Sequence, residues 1–393
     1  MKILMLAPEP FFETRGTPFS VFHRSKALGR LGHNVDLVVY HTGKRVSIDN
    51  VDIHRIPAVP FVKQIAIGPS LVKIPLDIVM FLKAFQMLLK TKYDCIHVHE
   101  EAALLGCILK KIFRVPQIYD MHSSIPQQLV NFNFTKNKAL IKLALFGEKY
   151  IINNSEAVIA ICPQLGEAVR SIDSRKKSWI IENPPVSEYN CSVFDKKIDE
   201  FRSCFGGQNK KIILYTGTFE PYQGIDLLIK TAPAVIKKIP DVLYILVGGE
   251  DYQIREMEKL SEELEVKDQV IFTGKRPVEE MPLFMGIADI LASPRVTGTN
   301  TPLKIYSYLE SGKPIVATNL PTHTQVLNEE IAVLTGPNQD DFAAGILRIL
   351  TNEALGRDIG RRAKEISETK YSYSSYLAKT GEVYEHIASL RGC

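Results

Sequence analysis

Short apolar runs alternate with helical patterns along this chain, and the alternation occurs twice. In the first half, the runs that read as strands are Ile3–Leu6, Val35–Tyr40, Val51–Ile56, Cys95–His99, Gln117–Asp120 and Ala157–Ala160. Val21–Leu31 carries apolar residues at helical spacing between the first two runs. Strand, helix, strand in succession is typical of a parallel sheet covered by helices on both faces.

The second half repeats the plan. Its predicted strands are Ile212–Tyr215, Leu243–Val247, Val270–Thr273, Ile290–Ser293 and Pro314–Ala317, with helices at Ile225–Ile239 and Gln253–Leu264. The segment IIENPPVSEYN ends a strand with two prolines and a polar run, which indicates a junction. We therefore predict an α/β protein of two doubly wound, Rossmann-like domains facing across a cleft. The expected bounds are residues 1–184 and 185–370, with a helix in 371–393 that packs back on the first domain.

The length of the chain agrees with two domains, and its composition argues against some classes of function. The chain has 393 residues, 45% of them hydrophobic, and a net charge of only +4. That charge gives no support for nucleic-acid binding. The six cysteines show neither CxxC nor zinc-ligand spacing, so we expect reduced thiols, a cytoplasmic location and no metal site.

Two lysine-flanked apolar segments leave an alternative open. Residues 65–89 are long and apolar, but prolines, lysines and an aspartate interrupt them, so a transmembrane helix is not indicated. They can form a helix that packs in the core, or a surface that faces a membrane or a lipid acceptor. Residues 136–146, KNKALIKLALF, raise the same alternative, which would place the protein at the inner face of the membrane.

Ligands of doubly wound sheets bind at the carboxyl ends of the strands, so the loops there are the candidate sites. Arg15, Gly16 and Thr17 lead into the first helix, where glycine permits close approach and the helix N-terminus favours an anion. Asp120 and His122 stand at the end of a predicted strand, and such a histidine can donate to a substrate oxygen or move a proton.

In the second half, Gly217, Thr218 and Gln223 follow a strand, and their loop could hold phosphate. The stretch RVTGTNTPLKIYSYLE begins as a turn and continues as a helix. Its loop residues are Thr299, Asn300, Thr301, Pro302 and Leu303, and Arg295 and Lys304 add positive charge. The sequence contains no GxGxxG motif for dinucleotides and no G-x-x-x-x-G-K-[ST] motif for P-loop nucleotides. It also contains no Asp-x-Asp pair that would hold Mg²⁺.

Nearly the whole chain resembles a family-4 retaining glycosyltransferase of the GT-B type. The segments that carry the resemblance are LGRLGHNVDLVVY, GTFEPYQGIDLLI, ILVGGED, VIFTGKRPVEEMPLFMGIADILASP and TPLKIYSYLESGKPIVAT. The resemblance implies sugar transfer from a nucleotide-sugar, a UDP- or GDP-sugar, to a glycan or lipid-linked acceptor in polysaccharide or glycolipid synthesis. It implies a front-side mechanism that needs neither a metal ion nor a cofactor.

The resemblance also assigns residues. Gly16 matches a glycine near the donor phosphates, and His122 matches a histidine that contacts the donor sugar. Gly217 matches the start of the family's phosphate-binding loop. Arg276 matches the position at which the backbone of family members contacts the base of the nucleotide. The turn from Thr299 to Leu303 contacts phosphate and sugar.

Four positions depart from the family pattern. Thr299 and Ser307 stand where two glutamates are usual, and Thr218 and Gln223 stand where a basic pair is usual. We expect a reorganised donor site in which Arg15, Arg295 and Lys304 supply the positive charge and Ser307 bonds a ribose hydroxyl. The alternative is a catalytically silent binding or regulatory protein of the same fold. A sugar-nucleotide epimerase ranks low, because such chemistry usually recruits the carboxylates that are replaced here.

Overall fold

The computed structural model describes residues 1–13, 16–60, 62, 65, 70–131, 135, 137–185, 195–298 and 300–390. The chain forms two compact units, Met1–Asn183 with Tyr373–Cys393, and Pro184–Ser372. Each unit contains one parallel sheet with helices on both faces. The prediction of two doubly wound α/β domains is therefore confirmed.

The first unit is built on a seven-stranded sheet. Its strands are β1 (Lys2–Ala7), β2 (Asn34–Val39), β3 (Val51–Arg55), β4 (Cys95–His99), β5 (Gln117–Met121), β6 (Ala157–Ala160) and β7 (Ser178–Ile180). All are parallel, in the order β3-β2-β1-β4-β5-β6-β7. Leu4 and Leu6 enter one core while Ile3 and Met5 enter the other, because side chains alternate along a strand.

Helices cover both faces of this sheet. They are α1 (Gly16–Arg30), α2 (Lys73–Lys90), α3 (Ala102–Phe113), α4 (Ile125–Asn131), α5 (Lys138–Asn154) and α6 (Pro163–Ile172). In α2, Leu76, Met80, Ala84 and Leu88 are buried, so one side of the apolar segment at 65–89 does pack in the core. Within the described ranges, no helix combines the length and apolarity that crossing a membrane requires.

The second unit is built on six strands. They are β8 (Lys211–Thr216), β9 (Val242–Val247), β10 (Val270–Gly274), β11 (Ile290–Ser293), β12 (Ile315–Thr318) and β13 (Val333–Thr335). All are parallel, in the order β10-β9-β8-β11-β12-β13. The sequence prediction missed β7 and β13, which are three-residue strands at sheet edges and too short to give a distinct apolar run.

The helices of the second unit are α7 (Asp195–Cys204), α8 (Ile225–Lys230), α9 (Ala232–Lys238), α10 (Asp251–Glu263), α11 (Met281–Ile287), α12 (Lys304–Ser311), α13 (Pro321–Thr324), α14 (Gln339–Leu350) and α15 (Glu353–Lys370). The prediction of one helix over Ile225–Ile239 was wrong. The helix breaks at Thr231, whose hydroxyl donates to Leu228 O at 2.6 Å, because Pro233 cannot supply the N–H of a continuous helix.

A last helix, α16 (Tyr373–Ser389), belongs to the first unit. It packs on α1, and its Tyr376, Val383, Tyr384 and Ile387 enter the same core as the alternate side chains of β1. The Lys379 ammonium lies 2.9 Å from the Glu182 carboxylate. Residues distant in sequence therefore complete the first unit.

Candidate functional site

The strand order places the phosphate-site candidates of the second unit at one position. β8 and β11 are neighbours in the sheet. The strands that follow β8 in the sequence, β9 and β10, lie on one side of this pair, and those that follow β11, β12 and β13, lie on the other side. The loops after two such strands diverge and leave a crevice, which is where doubly wound sheets bind ligands. Gly217 follows β8, and Arg295 to Leu303 follow β11. The local fold therefore brings together at one crevice two loops that begin 78 residues apart, at Gly217 and Arg295.

Two glycines allow the backbone at the end of β8 to approach its neighbours closely. A Cβ atom on Gly248 would lie 1.8 Å from Gly217 O, so no other residue fits there without a shift of the backbone. A Cβ atom on Gly217 would lie 3.2 Å from the Lys304 ammonium. The Gly217 N–H already donates to Val247 O at 2.9 Å. Gly217 therefore leaves space beside the Lys304 ammonium, and its own N–H is not free to bind a ligand.

Lys304 is the first residue of α12, and its ammonium lies inside the unit. The nitrogen is 3.5 Å from the ring centroid of Tyr215, and it has no hydrogen-bond partner among the residues that the structure describes. Burial, and then the charge of Arg295, hold the pKa of Lys304 well below its ordinary value of 10.5. A buried amine without an anion is costly, which is the expected condition of a site built for an anionic ligand.

Arg295 has a structural task as well as a charge. Its Nη1 donates to Asn300 O at 2.8 Å and to Thr322 Oγ1 at 3.0 Å, and its guanidinium lies 4.9 Å from the ring centroid of Tyr222. Its Nε is buried without a hydrogen-bond partner in the described part of the chain. Nη1 thus holds the loop after β11, and the other edge of the guanidinium is the part that can meet a phosphate.

The remaining candidates of this unit differ in their surroundings. Thr301 has a buried hydroxyl, and Gln223 a buried side-chain carbonyl, without a partner among the described residues, while Thr218 is exposed. Pro302 and Leu303 form the turn that leads into α12, because their carbonyls accept from Ile305 and Tyr306 N–H groups. Ser307 is buried on the same helix. Arg276 follows β10, where its Nε lies 2.8 Å from Glu280 Oε2 in a half-exposed ion pair. Thr299 lies outside the described residues.

The candidates of the first unit lie at the ends of β1 and β5. Gly16 begins α1 with φ of +40°, is exposed, and has no atom within 4 Å of the place where a Cβ would stand. Thr17 beside it is half-buried. A ligand could approach this helix start closely. Arg15, the third predicted residue here, lies outside the described residues.

Asp120 and His122 belong to a buried network of charged and polar groups. Arg24 Nε lies 2.9 Å from Asp120 Oδ2, and His97 Nε2 lies 3.3 Å from the same oxygen. His99 Nδ1 lies 2.8 Å from His122 Nε2. Asp120 is completely buried and His122 is 4% exposed. Asp120 is thus more deeply buried than His122, and Arg24 and His97 fix the position of its carboxylate.

Electrostatics separate the roles of these two residues. Burial alone would raise the pKa of Asp120, but the charge of Arg24 together with the neighbouring histidines outweighs burial and holds that pKa well below 3.8. Burial lowers the pKa of His122 to about 4 and lowers the pKa values of His97 and His99. At neutral pH the carboxylate is therefore ionised and the imidazoles are neutral. A neutral His122 is suited to hydrogen bonding with a substrate hydroxyl rather than to proton transfer near pH 7.

Three groups of the network could in principle bind a cation. One ligand atom each of His97, His99 and Asp120 lies within 4.8 Å of the others. Arg24 already places a positive charge on Asp120, and His97 Nδ1 is 2.6 Å from the Tyr384 hydroxyl. This donor set fits an ion-pair and hydrogen-bond network better than a divalent metal, because a second cation would face the guanidinium.

Sequence reasoning missed Arg24, His97, His99 and Tyr384. One signal was available, since CIHVHE places two histidines on the same side of a strand. No comparable signal marks Arg24 or Tyr384, because their partners lie 96 and 287 residues away along the chain.

Two family models match the chain, one in each unit. The model described as "Glycosyltransferase Family 4" matches residues 14–184, and "Glycosyl transferases group 1" matches residues 197–366. The chain is 26% identical to a glycosyltransferase of Methanocaldococcus jannaschii, MJ1607, named as uncharacterized, with 94% of this chain and 93% of that one covered. It is 23% identical to the alpha-monoglucosyldiacylglycerol synthase of Streptococcus pneumoniae, covering 94% of this chain and 83% of the synthase.

Solved structures show the same fold. Sucrose-phosphate synthase from Thermosynechococcus elongatus superposes with a TM-score of 0.79 at 20% identity, and 99% of each chain is covered. The Anabaena protein HepE in complex with UDP-glucose superposes with a TM-score of 0.75 at 17% identity, covering 98% of this chain and 99% of HepE. With both halves matched by family models and the full length matched by structures of the same fold, the chain belongs to the family-4 glycosyltransferases of the GT-B type.

Proposed function

We propose that this glycosyltransferase moves a sugar, with retention of configuration and without a metal ion, from a UDP- or GDP-sugar to a glycan or lipid-linked acceptor. The observation that carries the proposal is the buried ammonium of Lys304 beside Arg295 where β8 and β11 end. Within the described residues no carboxylate forms an ion pair with either side chain, so a diphosphate would supply the missing negative charge.

The names of related proteins support the substrate classes. The Streptococcus pneumoniae relative is a synthase of a glycosylated diacylglycerol, and the HepE structure contains UDP-glucose. A glycolipid or cell-surface polysaccharide is therefore the product class that we propose. The proposed location is the cytoplasm, with association at the inner face of the membrane.

The proposed chemistry needs charge stabilisation more than a protein base. The bond between the anomeric carbon and the diphosphate oxygen breaks, and a bond from the acceptor oxygen to that carbon forms on the same face. The acceptor proton passes to the departing phosphate oxygen. Lys304 and Arg295 stabilise the negative charge that develops there. This route is compatible with Thr299 and Ser307 at positions where the family usually has glutamates.

His122 and Asp120 have different parts in this proposal. His122 donates a hydrogen bond to a hydroxyl of the donor sugar, since its imidazole is neutral at working pH. Asp120 is a positioning residue, because it is completely buried and its carboxylate lies against Arg24. Thr301, Gln223 and Gly217 shape the donor side in the second unit.

The first experiment is a thermal-shift panel of UDP, GDP, ADP, CMP and their common sugar conjugates, with EDTA in place of metal. A ligand at 100 times its dissociation constant stabilises the folded state by about 2.7 kcal/mol. For a unit of roughly 200 residues that raises the melting temperature by several degrees. We expect UDP or GDP to give such a shift, and no shift with any nucleotide would refute the donor site.

A transfer assay then separates the enzyme from the silent binding protein. The nucleotide that binds is supplied as its sugar conjugate with a membrane-lipid extract or oligosaccharides, and the anomeric configuration of the product is read by NMR. We expect a product of retained configuration that forms in EDTA and is lost in His122→Ala. Nucleotide binding without transfer to any acceptor would support the silent alternative, and an inverted product or a strict need for metal would contradict the mechanism.

A further inference from the structure

The outer side of α2 is apolar although its inner side already packs on the sheet. Ile74, Ile78, Leu82 and Leu89 are 53%, 56%, 59% and 67% exposed. Their spacing of four, four and seven residues puts them on one stripe, opposite the buried stripe of the same helix. A helix that only covers a core is polar on its outer side, so this second stripe needs another explanation.

The two neighbouring helices of the first unit extend the apolar surface. On α3, Leu104, Ile108 and Ile112 recur every four residues and are between 45% and 53% exposed. The exposed residues of α5 are Leu140, Leu143, Leu145 and Phe146. α3 packs against both α2 and α5. We call the exposed apolar residues of these three helices the apolar face, and its extent exceeds the single exposed hydrophobics that are normal on a surface.

Lysines far outnumber acids on the three helices that carry the apolar face. The three helices carry eight lysines, which are Lys73, Lys83, Lys90, Lys110, Lys111, Lys138, Lys142 and Lys149. Their two acids turn inward. Asp77 accepts from the Tyr40 hydroxyl at 2.6 Å, and Glu148 accepts from Ile125 N–H at 2.7 Å. Of these eight lysines, only Lys73 and Lys110 pair with a carboxylate of the described residues, so the other six leave a positive field.

The positive charge and the apolar side chains of this face indicate which partner binds there. A second copy of the chain that presented the same face would oppose lysine to lysine, as a two-fold contact does. An anionic bilayer offers negative headgroups for the lysines and an acyl boundary for leucine, isoleucine and phenylalanine. No described helix is suited to cross a membrane, so the contact is with the surface of the bilayer.

We propose that the apolar face docks the first unit on the surface of a bilayer that contains anionic lipids. The aliphatic and phenylalanine side chains enter the headgroup–acyl boundary, and the lysines contact the headgroups. This inference extends the proposed function, because docking would bring the enzyme to an acceptor held in the membrane. The functional role of docking therefore rests on the proposed function. The docking itself follows from α2, α3 and α5 and does not depend on donor binding.

The test is flotation of the full chain with vesicles of phosphatidylcholine alone or with 30% phosphatidylglycerol. Two variants probe the two parts of the face, Ile78→Gln/Leu82→Gln/Leu89→Gln and Lys138→Gln/Lys142→Gln/Lys149→Gln. Exposed residues of the second unit serve as controls. Tyr252→Gln is the control for the apolar variant, and Lys237→Gln/Lys238→Gln/Lys259→Gln, which removes the same charge, is the control for the lysine variant.

We expect the wild type and both controls to float with the anionic vesicles and to dissociate as salt rises. The lysine variant should bind about 100-fold more weakly, because each of the three lysines contributes roughly fivefold near a charged surface. The apolar variant should lose binding even at low salt. Failure of the wild type to float, or equal binding by the variants and their controls, would overturn the proposal.

Two parallel measurements keep this test separate from the donor site. The nucleotide thermal shift, measured without vesicles, should be the same in every variant, so a lost shift would indicate damage to the donor site or the fold instead. Sedimentation velocity without lipid should give one species for the wild type. A dimer that the apolar variant dissociates would identify the face as a contact between copies and overturn the membrane proposal.

Discussion

Replacement of Lys304 by methionine should stabilise the ligand-free protein and weaken donor binding. Methionine keeps a long, flexible stem over Tyr215 and removes the buried amine, which has no acceptor among the described residues. Replacing a buried ion pair with apolar residues is often neutral or stabilising by about 1–4 kcal/mol, and the Lys304 amine lacks the partner that offsets burial in such a pair. At about 2–4 °C per kcal/mol, the second unit should melt several degrees higher. Loss of a charge-assisted contact of about 1.5–3 kcal/mol should weaken UDP or GDP binding roughly 10- to 150-fold.

The pH dependence follows from the lowered pKa of the amine. Between its folded pKa and its ordinary value of 10.5, the unfolded chain binds more protons than the folded chain. Stability of the wild type should therefore rise with pH across that window, and the full penalty applies below the folded pKa. Lys304→Met should lack this rise. Urea unfolding at several pH values measures it.

Diphosphate binding should restore the proton to the amine, because an anion beside it raises its pKa. Titration calorimetry in buffers of different ionisation enthalpy should show proton uptake that increases with pH and is absent in Lys304→Met. Lys259→Met is the control, since Lys259 is 77% exposed and should change stability by less than about 0.5 kcal/mol. A Lys304→Met protein that is less stable than wild type, yet binds nucleotide equally well, would refute the reasoning.

Two further predictions concern the first unit. His122→Gln should lower the transfer rate while UDP or GDP still shifts the melting temperature, and the wild-type rate should show no titration of His122 between pH 6 and 8, because its pKa is about 4; initial rates across pH would reveal a contradictory step near 6.5. Tyr384→Phe removes the hydroxyl 2.6 Å from His97 Nδ1 and should destabilise the unit by about 1–3 kcal/mol. Tyr376→Phe removes a buried hydroxyl that has no partner in the described chain, so it should not destabilise the unit. Calorimetry compares the pair, and equal losses would contradict the role given to Tyr384.

The central strands could be predicted because they are buried on both faces. Ile212–Tyr215 and Leu243–Val247 read as continuous apolar runs for that reason. β7 and β13 could not be predicted in the same way, since three residues at a sheet edge give no period to detect. The break at Thr231 was foreseeable from Pro233, but the apolar pattern on either side of it suggested one helix.

The donor side of the site was more predictable than its buried support. Loops after strands gather at one sheet edge, so Gly217 and Lys304 could be placed near each other from the pattern alone. The inward direction of the Lys304 ammonium depends on packing against Tyr215, which no local pattern encodes. The contact between Arg24 Nη1 and Thr380 Oγ1 spans 356 residues, and only the fold brings those atoms together.

The return of α16 to the first unit sets an order for synthesis. Residues 1–183 emerge from the ribosome before the second unit, yet Tyr376, Val383 and Ile387, which fill part of their core, emerge only after the second unit. Until then the nascent first unit exposes an apolar groove beside α1 and leaves Arg24 without its threonine acceptor. The seventeen residues of α16 thus complete the core of the first unit only after the second unit has been synthesised. A nascent chain stalled before Tyr373 should be a preferred substrate for chaperones, whereas a chain that includes α16 should not.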